Sequence, residues 1–342
     1  MAYTTIKKPS DYFNTKLYTG NGSTNAITGV GFQPDFTWLK SRSIIANHRL
    51  TDAVRGVTKE IYSDSTNAEA TDATGLTSFN SDGFTLGDSG DYNENSQTFA
   101  SWNWLADNTS GSSNTDGSIT STVSANTTSG FSIVKFNTSG QSGTMTCGHG
   151  LNAVPKMIIV KPYSVSDSWY TYHVGTGNAQ YTQLESSNTS TSNSNTWAST
   201  SPTSSVFSMS TNFWGANTND IIAYCFAEKK GFSKFGSYVG NGNADGTFIY
   251  TGFSPSFVMH KRTDTTNNWI MQDNKRVGYN ADNRILKANL NDAEQSVHEM
   301  DFVSNGFKIR TTGAGSNASG GNYIYMAFAA EPLVGDNPAT AR

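Results

Sequence analysis

Charge is scarce in this chain. Asp, Glu, Lys and Arg make up 15% of its 342 residues, against about 25% in an average soluble protein. The net charge is −4, and Lys and Arg never run beyond a doublet or so. That removes the electrostatic footprint of a nucleic-acid-binding protein, or of one drawn to an anionic membrane. Cysteine is nearly absent: Cys147 and Cys225 stand alone, with no CxxC pair, which excludes a disulfide framework and a structural zinc site and leaves two separately buried thiols. The five histidines, at 48, 149, 173, 260 and 298, form no HxH or HExxH pattern, so packing is the reading for them. No G-x-S-x-G elbow occurs and no glycine-rich piece leads into a helix, so neither a nucleophile elbow nor a phosphate loop is expected. No window approaches the eighteen or so apolar residues of a spanning helix, and the opening "MAYTTIKKPSDYFNTK" has no apolar signal core. The sequence predicts no membrane insertion, no classical secretion signal and no cofactor.

Turn formers and aromatics are plentiful instead: Gly is present 32 times and aromatics reach 12%. With Ser, Thr and Asn in long tracts, this is the composition of an all-β protein that stays soluble through hydroxyls and amides.

One segment returns three times. "GVGFQPDFTWLKSRS" at 29–43 is followed by "GLNAVPKMIIVKPYS" at 150–164 and "TGFSPSFVMHKRT" at 251–263. Aligned on Pro34, Pro155 and Pro255, the copies carry Phe36, Met157 and Phe257 two residues on, then Trp38, Ile159 and Met259, then Lys40, Lys161 and Lys261. A period of two with apolar residues between as well predicts a strand covered on both faces. The register continues through His48, Trp169 and Trp269 to Asp52, His173 and Asp273. "FNSDGF" at 79–84 matches "FVSNGF" at 302–307, where Asp-Gly and Asn-Gly suggest tight turns needing φ > 0. Each copy closes on an alternating aromatic strand, and Pro34 to Trp104, Pro155 to Phe226 and Pro255 to Phe328 span 70, 71 and 73 residues.

The expected fold is all-β: three tandem related antiparallel β-sandwich, jelly-roll-like domains. The divisions are an N-terminal arm (1–11), repeat 1 (12–107), a Ser/Thr/Asn/Gly-rich linker (108–129), repeat 2 (130–229), repeat 3 (231–334) and a C-terminal tail (335–342). Within the linker, the uncharged β-branched stretch "SITSTVSA" at 118–125 reads either as an edge strand for a neighbouring chain or as the completion of the second sandwich. A homo-oligomer is expected, a trimer favoured, with this region and the arm near the contacts.

Three groups of residues are candidates for chemistry. Asp88, Asp91 and Asn93 in "DSGDYNEN" offer oxygens to calcium, but without the glycine and terminal acid of an EF-hand loop, so a solvated turn competes. Tyr170, Tyr172, Tyr181 and Trp214 lie outside the repeat pattern and are candidates for stacking on a sugar ring. Asp52 with Arg55, and Asp273 with Arg276, recur at the same place in copies one and three and read as structural pairs. No catalytic residue is assigned, and a glycosidase carboxylate pair has no sequence signature.

The run from "MAYTTIKKPSDYFNTK" through "GVGFQPDFTWLKSRS", with "HRLTDAVRG", "FNSDGFTLG" and "WNWLAD", resembles a family of structural proteins of marine bacteriophages, placed among tail-fibre and other virion surface proteins. The resemblance covers the first 110 residues or so and carries no catalytic residue. It implies a non-enzymatic virion component, made in the host bacterial cytoplasm and released by lysis, that contacts other virion proteins. A tail fibre or surface adhesin that binds host glycan is the first expectation, a capsid or tail decoration protein the second, a polysaccharide depolymerase the third.

Overall fold

Apolar residues on both faces of a strand require a layer above and a layer below, and this requirement organises the whole chain. In the computed structural model, which describes residues 4–215, 219–277, 280, 284–336 and 338, the strand after each anchoring proline is buried along nearly its whole length: Phe36–Ser41, Pro155–Pro162 and Phe253–Arg262. These are the central strands of units 1, 2 and 3. Beside each lies a closing strand, Thr98–Trp104, Asp220–Ala227 or Asn322–Pro332, and beyond that a leading strand, Phe13–Thr19, Phe131–Asn137 or Ser233–Val239. A return strand, Arg49–Asp52, Tyr170–His173 or Ile270–Asp273, pairs with the other side of the central strand. The order leading, closing, central, return thus occurs three times, all antiparallel. The registers correspond too, with Trp38 opposite Trp102, Ile159 opposite Tyr224 and Met259 opposite Met326.

One face of each main sheet is covered by a small outer sheet. In unit 1 this is Asn25–Thr28, Gly83–Leu86 and Leu76–Asn80; in unit 3, Phe248–Tyr250, Gly306–Ile309 and Met300–Val303; in unit 2, Thr144–Gly148 with Val206–Ser210. Each sandwich encloses its own cluster, such as Ile27, Leu39, Phe84 and Phe99 in unit 1. The hairpin glycines act differently from the expectation. The turn is Ser81–Asp82, and Gly83 pairs opposite Asn80 and Thr28 at the start of the next strand. A Cβ on Gly83 would sit 1.9 Å from the Ile27 carbonyl oxygen, and one on Gly306 2.0 Å from that of Ile249, so close backbone approach demands glycine here. Pro155 and Pro255 lie at register shifts in their strands, positions where no ladder donor is needed.

The other faces of the three main sheets meet one another. They share a single cluster drawn from all three units, including Phe13, Phe36 and Trp104 of unit 1, Ile133, Met157 and Phe226 of unit 2, and Phe257, Met326 and Phe328 of unit 3. Trp104, Phe226 and Phe328, the corresponding residues of the three closing strands, have ring centroids 6.2, 6.1 and 5.7 Å apart pairwise. The units are therefore not beads on a string, each with a private core. They form a ring around common aromatic packing, because each main sheet has a second apolar face that nothing within its own unit covers.

Three sequence divisions are corrected accordingly. Within the 108–129 linker, Ser112–Asn114 and Ser121–Asn126 form strands that extend the unit 2 sheet from the Phe131–Asn137 edge, so "SITSTVSA" completes its own sandwich rather than reaching for a neighbour. Residues 4–11 of the arm pack on the body, with Ile6 buried in the shared core and Tyr12 against Phe232. Residues 1–3 of the arm, and 337 and 339–342 of the tail, lie outside the described residues.

Candidate functional site

The residues that recur across the copies sit at the junctions of the ring. Asp52 closes a turn through its Oδ1, which accepts from the backbone N–H groups of Val54 and Arg55 at 3.1 and 2.8 Å. Its Oδ2 accepts from Arg55 Nε at 2.6 Å and from the Tyr224 hydroxyl of unit 2 at 2.8 Å. Asp273 repeats this arrangement with Arg276 Nε at 2.7 Å and Trp102 Nε1 of unit 1 at 3.0 Å. A second carboxylate joins each pair: Glu69 binds Arg55 at 3.1 Å, and Glu294 binds Arg276 at 3.4 Å. In unit 2 the corresponding residue is His173. Its Nδ1 accepts from Gly175 N, so Nε2 carries the proton and donates to the Tyr325 carbonyl of unit 3 at 3.0 Å. Burial holds this imidazole down to about 4, so it stays neutral. The three contacts close a cycle, unit 1 to 2, 2 to 3 and 3 to 1.

A second cycle runs the opposite way. Trp169 donates to the Tyr62 carbonyl of unit 1, Trp269 to Gln183 of unit 2 and His48 to Lys287 of unit 3, at 2.8, 2.8 and 3.0 Å. Trp38 Nε1 donates to His48 Nδ1 at 2.8 Å, which fixes the proton on Nε2. Lys40, Lys161 and Lys261 are fully buried and direct their ammonium groups at main-chain carbonyls. Lys161 reaches Thr66 of unit 1 at 2.9 Å and also the Asp167 carbonyl, while Lys261 reaches Ser187 of unit 2 at 3.3 Å. Lys40 donates to the Ser41 carbonyl at 2.7 Å. Desolvation lowers all three to about 8. These polar groups hold the ring together and face no open cleft.

The calcium reading is corrected. Asn93 ends a helical turn, Gly90–Asn93, and is fully buried. Its Oδ1 accepts from Asn21 N and Asn25 Nδ2 at 3.0 and 2.9 Å, and its Nδ2 donates to Asn21 Oδ1 and Gly87 O at 2.9 and 2.8 Å and to Ser23 O. Asp91 forms an ion pair with Arg49. Two of the three proposed oxygen donors, Asp91 and Asn93, are thus committed elsewhere, and only Asp88 is left. Among the described residues no cluster of three or more His, Cys, Asp or Glu could hold a metal. Asn317 plays the same latch role in unit 3, binding Asn241, Asn243 and Thr311.

The unit 2 aromatics are not solitary exposed rings. Tyr172 and Trp214 are buried, while Tyr170 and Tyr181 are half-buried. Tyr170 and Tyr172 project from the return strand on one face, with Tyr181 on the neighbouring strand Gln180–Gln183. The helical turn Thr211–Trp214 lays Phe213 and Trp214 across them. Tyr170 lies 5.3 Å from Tyr181, 4.9 Å from Phe213 and 5.0 Å from Trp214 between ring centroids. Trp197 continues the cluster inward, 6.1 Å from Trp214 and 5.8 Å from Tyr172. The Tyr170 hydroxyl donates to Asp167 Oδ1 at 3.0 Å, and burial together with that carboxylate raises it well above the usual phenol range. Trp214 stands where units 1 and 3 place the latch asparagines, at the end of the same helical turn.

One family matches almost the whole molecule: Domain of unknown function (DUF7483), over residues 8–332. The chain belongs to this family. Comparison with curated proteins and with solved structures gives no match. The match takes in all three units of this DUF7483 member together, in agreement with a core they share. Sequence reasoning missed Phe213, Trp197 and the latch asparagines Asn93 and Asn317 in their actual roles. The available signal for the latches was the pairing of "YTGNG" at 18–22 and "YVGNG" at 238–242 with an Asn shortly before each closing strand.

Proposed function

We propose that this chain is a non-catalytic structural protein of a bacteriophage particle, a tail-fibre or surface-adhesin subunit that contacts other virion proteins and meets host glycan. The observation that carries this reading is the use made of the recurring polar residues. Asp52, Arg55, Asp273, Arg276, His173 and the three lysines are all spent on closing the ring. A body whose titratable groups are locked in this way is suited to rigidity under exposure, not to proton transfer. The resemblance of the first 110 residues supplies the phage context, and synthesis in the host cytoplasm follows from it. Self-association, with a trimer favoured, stays within the proposal, but Ser121–Asn126 is already paired within its own chain.

Gold-labelled antibody against the purified protein, applied to intact phage particles, tests the reading. Label on the tail is expected. Label on the capsid would favour a decoration protein, and particles that lack the protein would overturn the proposal. Release of reducing ends from polysaccharide by the purified protein would overturn the non-catalytic part.

A further inference from the structure

The three units place different side chains at one equivalent outer position, where the return strand, the strand after it and the helical turn converge. In unit 1 the place holds Arg49, Glu60 and Tyr92, and in unit 3 Ile270, Ile285 and Ser316, all of them buried. In unit 2 it holds Tyr170, Tyr181 and Phe213, all half-exposed. Two of the three positions are sealed and one presents aromatic rings to solvent.

We propose that this open position in unit 2 binds the ring of a neutral saccharide, with Tyr181 and Phe213 as the stacking surface and the residues beside Tyr170 as the polar rim. The proposal rests on the surface-protein reading and names its ligand. A pyranose has an apolar C–H face edged by hydroxyls that both donate and accept, so it needs aromatic carbon beside mixed polar groups. Both are present. Phe213 lies 5.5 Å from Tyr181 between centroids, at 57°, and neither ring is shut in. Gln183 is opposite Tyr170 in the ladder, donates to Ser168 Oγ at 2.8 Å and accepts from Asn188 Nδ2 at 3.1 Å. Asp167 accepts from the Tyr170 hydroxyl. These amide, hydroxyl and carboxylate groups keep further hydrogen-bonding capacity. Asp167 and Glu185 beside the rings disfavour an acidic sugar. Trp214 and Trp197 underneath, with indole N–H groups tied to the Thr196 and Gln180 carbonyls at 2.7 and 3.0 Å, make the floor rigid before any ligand arrives.

Affinity electrophoresis and tryptophan fluorescence of the full chain, with dextran, laminarin and agarose as neutral probes and alginate as the acidic one, provide the test. Retardation by at least one neutral polysaccharide is expected, with affinity falling roughly three- to tenfold in Tyr181→Ala or Phe213→Ala and further in the double variant. Should the double variant not fold, Tyr181→Leu with Phe213→Leu keeps apolar bulk while removing the ring faces, and the same loss is expected. Binding to none of the neutral probes, binding to alginate alone, or undiminished binding by a folded double variant would each overturn the assignment. None of these outcomes bears on particle location, which antibody labelling decides separately.

Discussion

Tyr224 of unit 2 donates its hydroxyl to Asp52 Oδ2 of unit 1 at 2.8 Å, inside the shared core. Its ring stacks on Phe36 at 4.2 Å between centroids. One side chain thus joins two units by packing and by a bond to a buried charge. Tyr224→Phe keeps the ring and removes the bond. A loss of about 1.5–3 kcal/mol is expected, the range for hydrogen bonds to charged groups, measured by urea denaturation. A change within experimental error would mean that the hydroxyl plays no part in holding the units together.

Asp273 and Arg276 have side chains that are 0% exposed. Asp273→Ala would leave the Arg276 guanidinium partly unpaired and Trp102 Nε1 without its acceptor. Breaking a buried pair in this way costs about 3–5 kcal/mol. The fall should appear as a shift of the denaturation midpoint of the whole molecule rather than of unit 3 alone, because Trp102 belongs to unit 1. An unchanged midpoint would contradict the structural role given to the pair.

The buried lysines link junction stability to pH. Lys40, Lys161 and Lys261 titrate near 8 in the folded chain, while unfolded lysines hold their protons to about 10.4. Above pH 8 the unfolded state binds more protons, so each lysine makes stability rise with pH until its unfolded value is reached. Below pH 8 both states are charged and the cost of burying the ammonium is fully present. Cys147 and Cys225, whose thiols burial pushes far up, act in the opposite sense, so the clean observable is a difference. The stability of the wild type relative to Lys161→Met should climb between pH 8 and 10. A difference that is flat across this window would show that Lys161 is not buried as a charged group.

The Asn93 amide makes or accepts five hydrogen bonds. Asn93→Ala strands several of those partners and should cost at least about 1–3 kcal/mol. Millimolar calcium should leave the melting temperature of the wild type unchanged. A calcium-dependent rise in melting temperature would revive the ion site that the latch geometry argues against.

The strands of the main sheets were legible because their alternation is strong and their anchors, Pro34, Pro155 and Pro255, are spaced almost evenly. Burial on both faces was legible as well, in the apolar residues at every position of "MIIV". What covers the second face was not. Periodicity records that a face is apolar, not whether its cover comes from the same unit or from two others, so Trp104, Phe226 and Phe328 gave no sign that they meet. Asn93 was misread for a related reason: an amide in an acidic turn has the same sequence signature whether it faces an ion or the backbone. Tyr170 and Tyr181 were singled out correctly as departures from the repeat, but their partner Phe213 comes from a helical turn thirty residues further on, a contact that no local pattern encodes.

The central claim is that three sandwiches form one body around a common core. Differential scanning calorimetry of the full chain tests it most directly. A shared core predicts one transition whose calorimetric and van't Hoff enthalpies agree. Two or three resolved transitions, each with the enthalpy of a separate sandwich, would contradict it.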